Sequence, residues 1–111
     1  PLGRFISSLT SLADMPVRQA LPGHKWLIDD WRGRIEELIA HHEKRLIHTM
    51  NAIDSETQTV YDIALKVFPI ERFTIHEMRF AMAETLAHLE LLTKQGKVAH
   101  DNGSIRRYII A

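Results

Sequence analysis

The chain of 111 residues, 45% of them apolar, is long enough for one modest core and too short for two independent ones. Lysine plus arginine and aspartate plus glutamate balance at 14 each, which excludes a global charge aimed at nucleic acid, an anionic membrane or a polyanionic substrate. No cysteine is present, so disulfides, thiolate metal sites and cysteine nucleophiles are excluded as well, in keeping with a cytoplasmic protein.

No apolar run approaches the roughly 20 residues that a membrane span needs, and no basic-then-apolar leader opens the chain. The chain begins at Pro1 rather than methionine and reads as a piece of a larger protein. Phe5, Leu9 and Leu12, with Ile6 alongside, recur at helical spacing. They predict an amphipathic helix ending at Asp14-Met15-Pro16, because proline disfavours a helical residue before it. Val17 to Leu21 reads as a short strand closed by the Pro22-Gly23 turn, which presents His24. A helix, a strand and a turn histidine cannot bury their own apolar faces.

Asp29 or Asp30 can cap the next and longest helix, whose apolar positions Trp31, Ile35, Leu38, Ile39, Leu46, Met50 and Ile53 follow a three-or-four repeat. After Asp54-Ser55-Glu56, Thr57 or Thr59 can cap a shorter helix striped by Val60, Ile63, Ala64 and Val67 and stopped by Pro69. Thr74-Ile75-His76-Glu77 has the pattern of a capping box, in which the threonine oxygen and the glutamate carboxylate satisfy free amides at a helix start. That third helix carries Met78, Met82, Thr85, Leu86, Leu89 and Leu92 on one stripe, and Gly96 supplies its left-handed stop. Lys97 to His100 and Ser104 to Ile110 then form two strands joined by Asp101-Asn102-Gly103, a pair-of-strands signal resting on the Asn-Gly turn. The predicted fold class is mainly α with a small β-hairpin, an α+β domain with winged-helix ingredients.

Candidate chemistry is sparse. A lone turn histidine such as His24 is ordinarily just exposed, since a zinc site needs three or four ligands. His41 and His48 lie about 10 Å apart along a helix, too far to chelate one ion, and His42 shares the apolar stripe of Leu38 and Leu46, which favours packing. His76 and His88 are expected on the surface. The hydroxyls, Asp54, Glu56 and Asp62 form no nucleophile, base and acid set, because capping accounts for Thr57, Thr59 and Thr74. If the third helix were a DNA-recognition helix, its outward positions would be Phe80, Ala83, Glu84, Ala87, His88 and Leu91. Base-edge readers are typically Arg, Lys, Asn or Gln, and these are absent from that face, while Glu84 and Glu90 repel phosphate. Lys97, Arg106 and Arg107 suit a solvated hairpin edge. Phe80, Ala83, Ala87 and Leu91 point instead to protein contact, with another domain or a second subunit, or to closure of the domain's own core.

Leu21-Pro22-Gly23-His24, then Asp30 to Leu38, His41 to Leu46, and Ala81 to Gly96 with Lys97-Val98, occur in an order that resembles the C-terminal part of metallo-β-lactamase-fold hydrolases that carry a winged-helix domain. The resemblance implies that residues 1–28 are the remnant of the catalytic domain and that residues 29–111 are the winged-helix accessory domain with its connecting helix. It implies that His24 is the last zinc ligand of the intact protein, which holds two zinc ions whose activated water attacks an ester, thioester, amide or phosphodiester. Lys25 departs from the family, which usually has glycine there. The upstream His-x-His-x-Asp-His ligand run is absent from this chain, so alone it is expected to bind no zinc and to be catalytically inactive. The expected partners are the N-terminal catalytic domain and a second copy of the protein. The alternative is a free-standing winged-helix module that binds nucleic acid or protein.

Overall fold

The computed structural model describes residues 2–16, 30–54 and 56–111. The chain divides into two compact units, Pro1–Lys44 and Arg45–Ala111. Helix α1 (Leu2–Ala13) lies in the first unit, and α2 (Trp31–Asn51) begins there and continues into the second.

In the first unit Leu9 and Ile35 are buried, whereas Phe5 and Leu12 of the predicted apolar stripe remain partly exposed. The end of α1 leaves carbonyls without helical partners. The Trp31 indole Nε1 donates to one of them, the Leu12 oxygen, at 2.7 Å. Of the two aspartates that could cap α2, Asp30 does so: its Oδ1 accepts from the Gly33 amide at 3.0 Å, and Asp29 lies outside the described residues. A glycine in the first turn fits this arrangement, because a Cβ there would lie 2.1 Å from Asp30 Oδ2. The predicted Val17–Leu21 strand and its turn also lie outside the described residues.

The second unit contains β1 (Gln58–Thr59), α3 (Val60–Val67), a 3-10 turn at Ile70–Arg72, α4 (Ile75–Lys94), β2 (Val98–His100) and β3 (Arg107–Ile110). The mainly α class with a small β part is as the sequence predicts. The hairpin, however, is a three-stranded antiparallel sheet of order β1-β3-β2. β3 pairs on one side through Gln58 with Tyr108 and Thr59 with Arg107, and on the other through Val98 with Ile110 and His100 with Tyr108. Two residues are too few to show an alternating pattern, which is why β1 has no sequence signal.

Both helices of this unit begin with reciprocal capping boxes. Thr59 Oγ1 accepts from the Asp62 amide at 3.2 Å while Asp62 Oδ2 accepts from the Thr59 amide at 3.1 Å. Thr74 and Glu77 make the same exchange, both bonds 3.2 Å. α4 ends in a Schellman motif: Gly96 has φ of 74°, its amide donates to Thr93 O, and the Lys97 amide donates back to Leu92 O. The end of α2 is closed by Lys66, whose Nζ donates to Ala52 O at 3.2 Å and pairs with the Asp54 carboxylate.

The loop from β2 to β3 is built differently from the expected Asn-Gly turn. Among the described residues Gly96 alone has positive φ, so neither Asn102 nor Gly103 uses the left-handed region. Asp101 Oδ1 instead accepts from the amides of Gly103 and Arg107 at 3.3 and 3.1 Å. The second strand accordingly starts later than predicted.

The core of this unit gathers Ala52, Ile53, Ile63, Leu89, Leu92, Val98 and Tyr108, with Leu46, Met50, Val60 and Val67 packed against it. Buried hydroxyls bond back along their helices, Thr49 to Arg45 O and Thr85 to Ala81 O, both at 2.8 Å. Tyr108 is fully buried, and its hydroxyl has no hydrogen-bond partner among the described residues.

Two outcomes follow from this packing. Ile63→Ala deletes a fully buried side chain and should lower unfolding free energy by about 2–5 kcal/mol. Tyr108→Phe removes an unpaired buried hydroxyl and should hold or raise stability by up to about 1 kcal/mol; urea unfolding of both variants checks this, and a lower midpoint for Tyr108→Phe would reveal a missing partner.

The Asp62 carboxyl is held below its ordinary range by the Thr59 amide first and then the Thr59 hydroxyl, and Asp101 by the amides of Arg107 and Gly103. A carboxyl lowered in the folded state contributes stability above its unfolded value of about 3.9, and that contribution drains away as pH falls through the folded value. Asp62→Asn and Asp101→Asn should therefore be less stable than the parent at neutral pH, with the difference narrowing below about pH 4. Unfolding midpoints measured across that range test the sign.

Candidate functional site

The expected zinc ligand His24 lies outside the described residues. Among the described residues no group of three His, Cys, Asp or Glu side chains could hold a metal ion. The nearest approach to a histidine cluster is His41 and His42, whose rings meet edge-on at 5.7 Å. His42 also meets the Phe5 ring edge at 5.6 Å, so its expected packing role agrees with its half-buried place. The described residues do not fit a zinc site by themselves.

His88, expected on the surface, is 2% exposed. Its Nδ1 donates to Glu84 O at 2.7 Å. It follows Ala81 and Thr85 and precedes Leu92 at 4-3-4 spacing, so it shares their buried face of α4. The predicted stripe already held Thr85, Leu89 and Leu92, but it ran through Met78, Met82 and Leu86 rather than through Ala81 and His88, because a small alanine and a histidine carry little apolar signal. His76 is exposed, as expected.

The outward face of α4 is thus smaller than predicted: Phe80, 69% exposed, and Ala83 stand out, whereas Ala87 and Leu91 are half-buried. A feature without local sequence signal lies beside Phe80. Arg45 in the later part of α2, Phe68 after α3, Phe73 before α4, and Glu77, Phe80 and Glu84 on α4 line a cleft of about 450 Å³. The Arg45 guanidinium carbon sits 4.4 Å over the Phe68 ring, a cation-π contact. The Phe68 and Phe73 rings are 6.3 Å apart and tilted by 52°. Three phenylalanines from different elements have no shared periodicity, which explains why the sequence did not reveal the cleft.

The loop between β2 and β3 carries the exposed pair Ile105 and Arg106, with Ile105 65% exposed. A second, more apolar cleft of about 440 Å³ lies between Val60, Tyr61, Met82, Leu86, Ile105 and Tyr108.

With this geometry in view, comparison with known proteins identifies the class. The family model described as "Metallo-beta-lactamase-like, C-terminal domain" matches residues 46–110, and the chain belongs to that family. A solved metallo-beta-lactamase family protein from Thermus thermophilus is similar over 100% of this chain, with 41% identity and a TM-score of 0.85. A beta-lactamase domain protein from Burkholderia ambifaria is similar over the same extent, with 32% identity and a TM-score of 0.88. This chain spans 34% of the length of each of those two chains. No curated protein matches it. Among the described residues no helix is long and apolar enough to cross a membrane.

Of the positions predicted to face outward on α4, Phe80 and Ala83 are exposed, Glu84 is half-buried, and none is a base-reading side chain; the exposed cations of the helix, Arg79 and Lys94, lie fifteen residues apart. Duplex DNA should accordingly bind the chain no tighter than about the 10⁻⁴–10⁻⁶ M range of non-specific association, tested by fluorescence anisotropy across a salt series. Tight binding with a steep salt slope would contradict the reading of this face.

Proposed function

We propose that the chain is the C-terminal part of a zinc-dependent hydrolase of the metallo-β-lactamase superfamily. Residues 1–28 close the catalytic domain, and His24 is one zinc ligand in the intact protein. Residues 29–111 form a winged-helix accessory domain with its connecting helix, which walls the substrate cleft and supports contacts with the catalytic domain or a second subunit. Substrates are of the ester, thioester, amide or phosphodiester class.

The observation that carries this reading is the extent of the similarity. The family model begins at residue 46, yet both solved relatives align with the whole chain, residues 1–45 included. A free-standing module would need only the part that the family model covers. The alternative nucleic-acid role is disfavoured by the lack of clustered cations on α4, whose exposed Arg79 and Lys94 are far apart and interspersed with Glu77 and Glu90.

The test is made on the longer polypeptide that includes this chain. Elemental analysis should find bound zinc, and His24→Ala should weaken zinc affinity by more than about tenfold, as loss of a ligand does. The 111-residue chain alone should show no metal-dependent hydrolysis of model esters. Unchanged zinc content in the His24→Ala protein would remove His24 from the ligand set.

A further inference from the structure

We infer that the aromatic and acidic cleft at the start of α4 is the seat for the β2–β3 loop of a second copy of this chain, which inserts Ile105 and Arg106. The inference does not depend on the hydrolase reading, because both surfaces lie within Arg45–Ala111 and neither is offered as catalytic.

The cleft has two unmet requirements. Phe80, at its rim, is 69% exposed, so a large ring stands in water beside a concave apolar wall. Glu77 and Glu84 bring two carboxylates beside the Arg45 guanidinium and the His76 imidazole; neither makes an ion pair among the described residues, and since Glu77 already accepts from the Thr74 amide, Glu84 is the carboxylate open to a further cation. Arg45 is already committed to the Phe68 ring. The cleft therefore favours one further cation carried next to an apolar side chain, and Arg45 over Phe68 shows the stacking that a guanidinium adopts there.

The same chain displays that combination. Ile105 is 65% exposed and Arg106 is exposed beside it, in a loop whose backbone is fixed by the Asp101 carboxylate. A pre-formed loop loses little entropy on docking. Arg106 placed against Glu84 meets opposite charge, and Ile105 against Phe80 covers apolar surface on both partners. Two copies related by a two-fold axis would each give one loop and receive one, the closed arrangement that self-complementary dimers use.

Sedimentation velocity of the 111-residue chain over a wide concentration series should show a monomer–dimer equilibrium that weakens with added salt. Glu84→Arg and Arg106→Glu should each weaken dimerisation by at least about tenfold, and the double variant should recover to within about threefold of the parent, as a direct charge pair requires. Glu90→Arg makes the same charge change at an exposed position of α4 outside the cleft and should leave dimerisation within about twofold. Circular dichroism confirms folding of each variant, and Arg106→Glu, at an exposed loop position, carries the test if Glu84→Arg fails to fold. A chain that stays monomeric throughout overturns the inference. So does a dimer indifferent to both single changes, which would place the interface on another face, or a double variant as weak as the singles.

Discussion

Thr59 joins the two kinds of structure in the larger unit. It is the last residue of β1, paired with Arg107 of β3, and it is also the N-cap of α3 through its reciprocal exchange with Asp62. There is no linker between strand and helix, so the direction in which α3 leaves the sheet is set at one residue. Ile63 and Ala64, fully buried one turn later, owe their place in the core to that start. An N-cap is ordinarily a local contribution of about 1 kcal/mol. Here the same side chain also ties helix packing to sheet register.

Much of the fold was legible because its signals are local. The Thr74-to-Glu77 box, the Gly96 stop and the long three-or-four repeat of α2 each depend on residues within one or two turns, and the structure carries all three. What was illegible depends on distant partners. β1 exists only because β3 pairs with it, the β2–β3 loop is fixed by a carboxylate rather than by Asn-Gly backbone angles, and His88 is buried on a face that begins with small residues Ala81 and Thr85. The cleft at Arg45 is assembled from α2, the turn after α3, and α4. No window of sequence contains it.

The candidate metal ligand rests on a different kind of signal. His24 carries no weight from spacing alone, and it lies outside the described residues. Its significance comes from the ordered runs around it, which resemble a hydrolase family, and the family match over residues 46–110 agrees with that resemblance. The described residues contain no set of ligands for a metal. Family membership and metal chemistry are therefore separate questions for this chain: the first is answered by sequence and fold, and the second belongs to the proposal that His24 is a ligand.

The sheet order has a topological consequence. Tyr108 sits in the middle strand, facing Gln58 on one side and His100 on the other. The β2 partner is a near neighbour in sequence, whereas the β1 partner is about 50 residues away, with α3 and α4 in between, and closing so long a loop carries an entropic cost that grows only slowly with its length. A sheet of fewer than about ten residues is thus a long-range object inside a mostly local fold. Its hydrogen bonds enclose both helices in a single loop of chain, fastened by the two residues of β1.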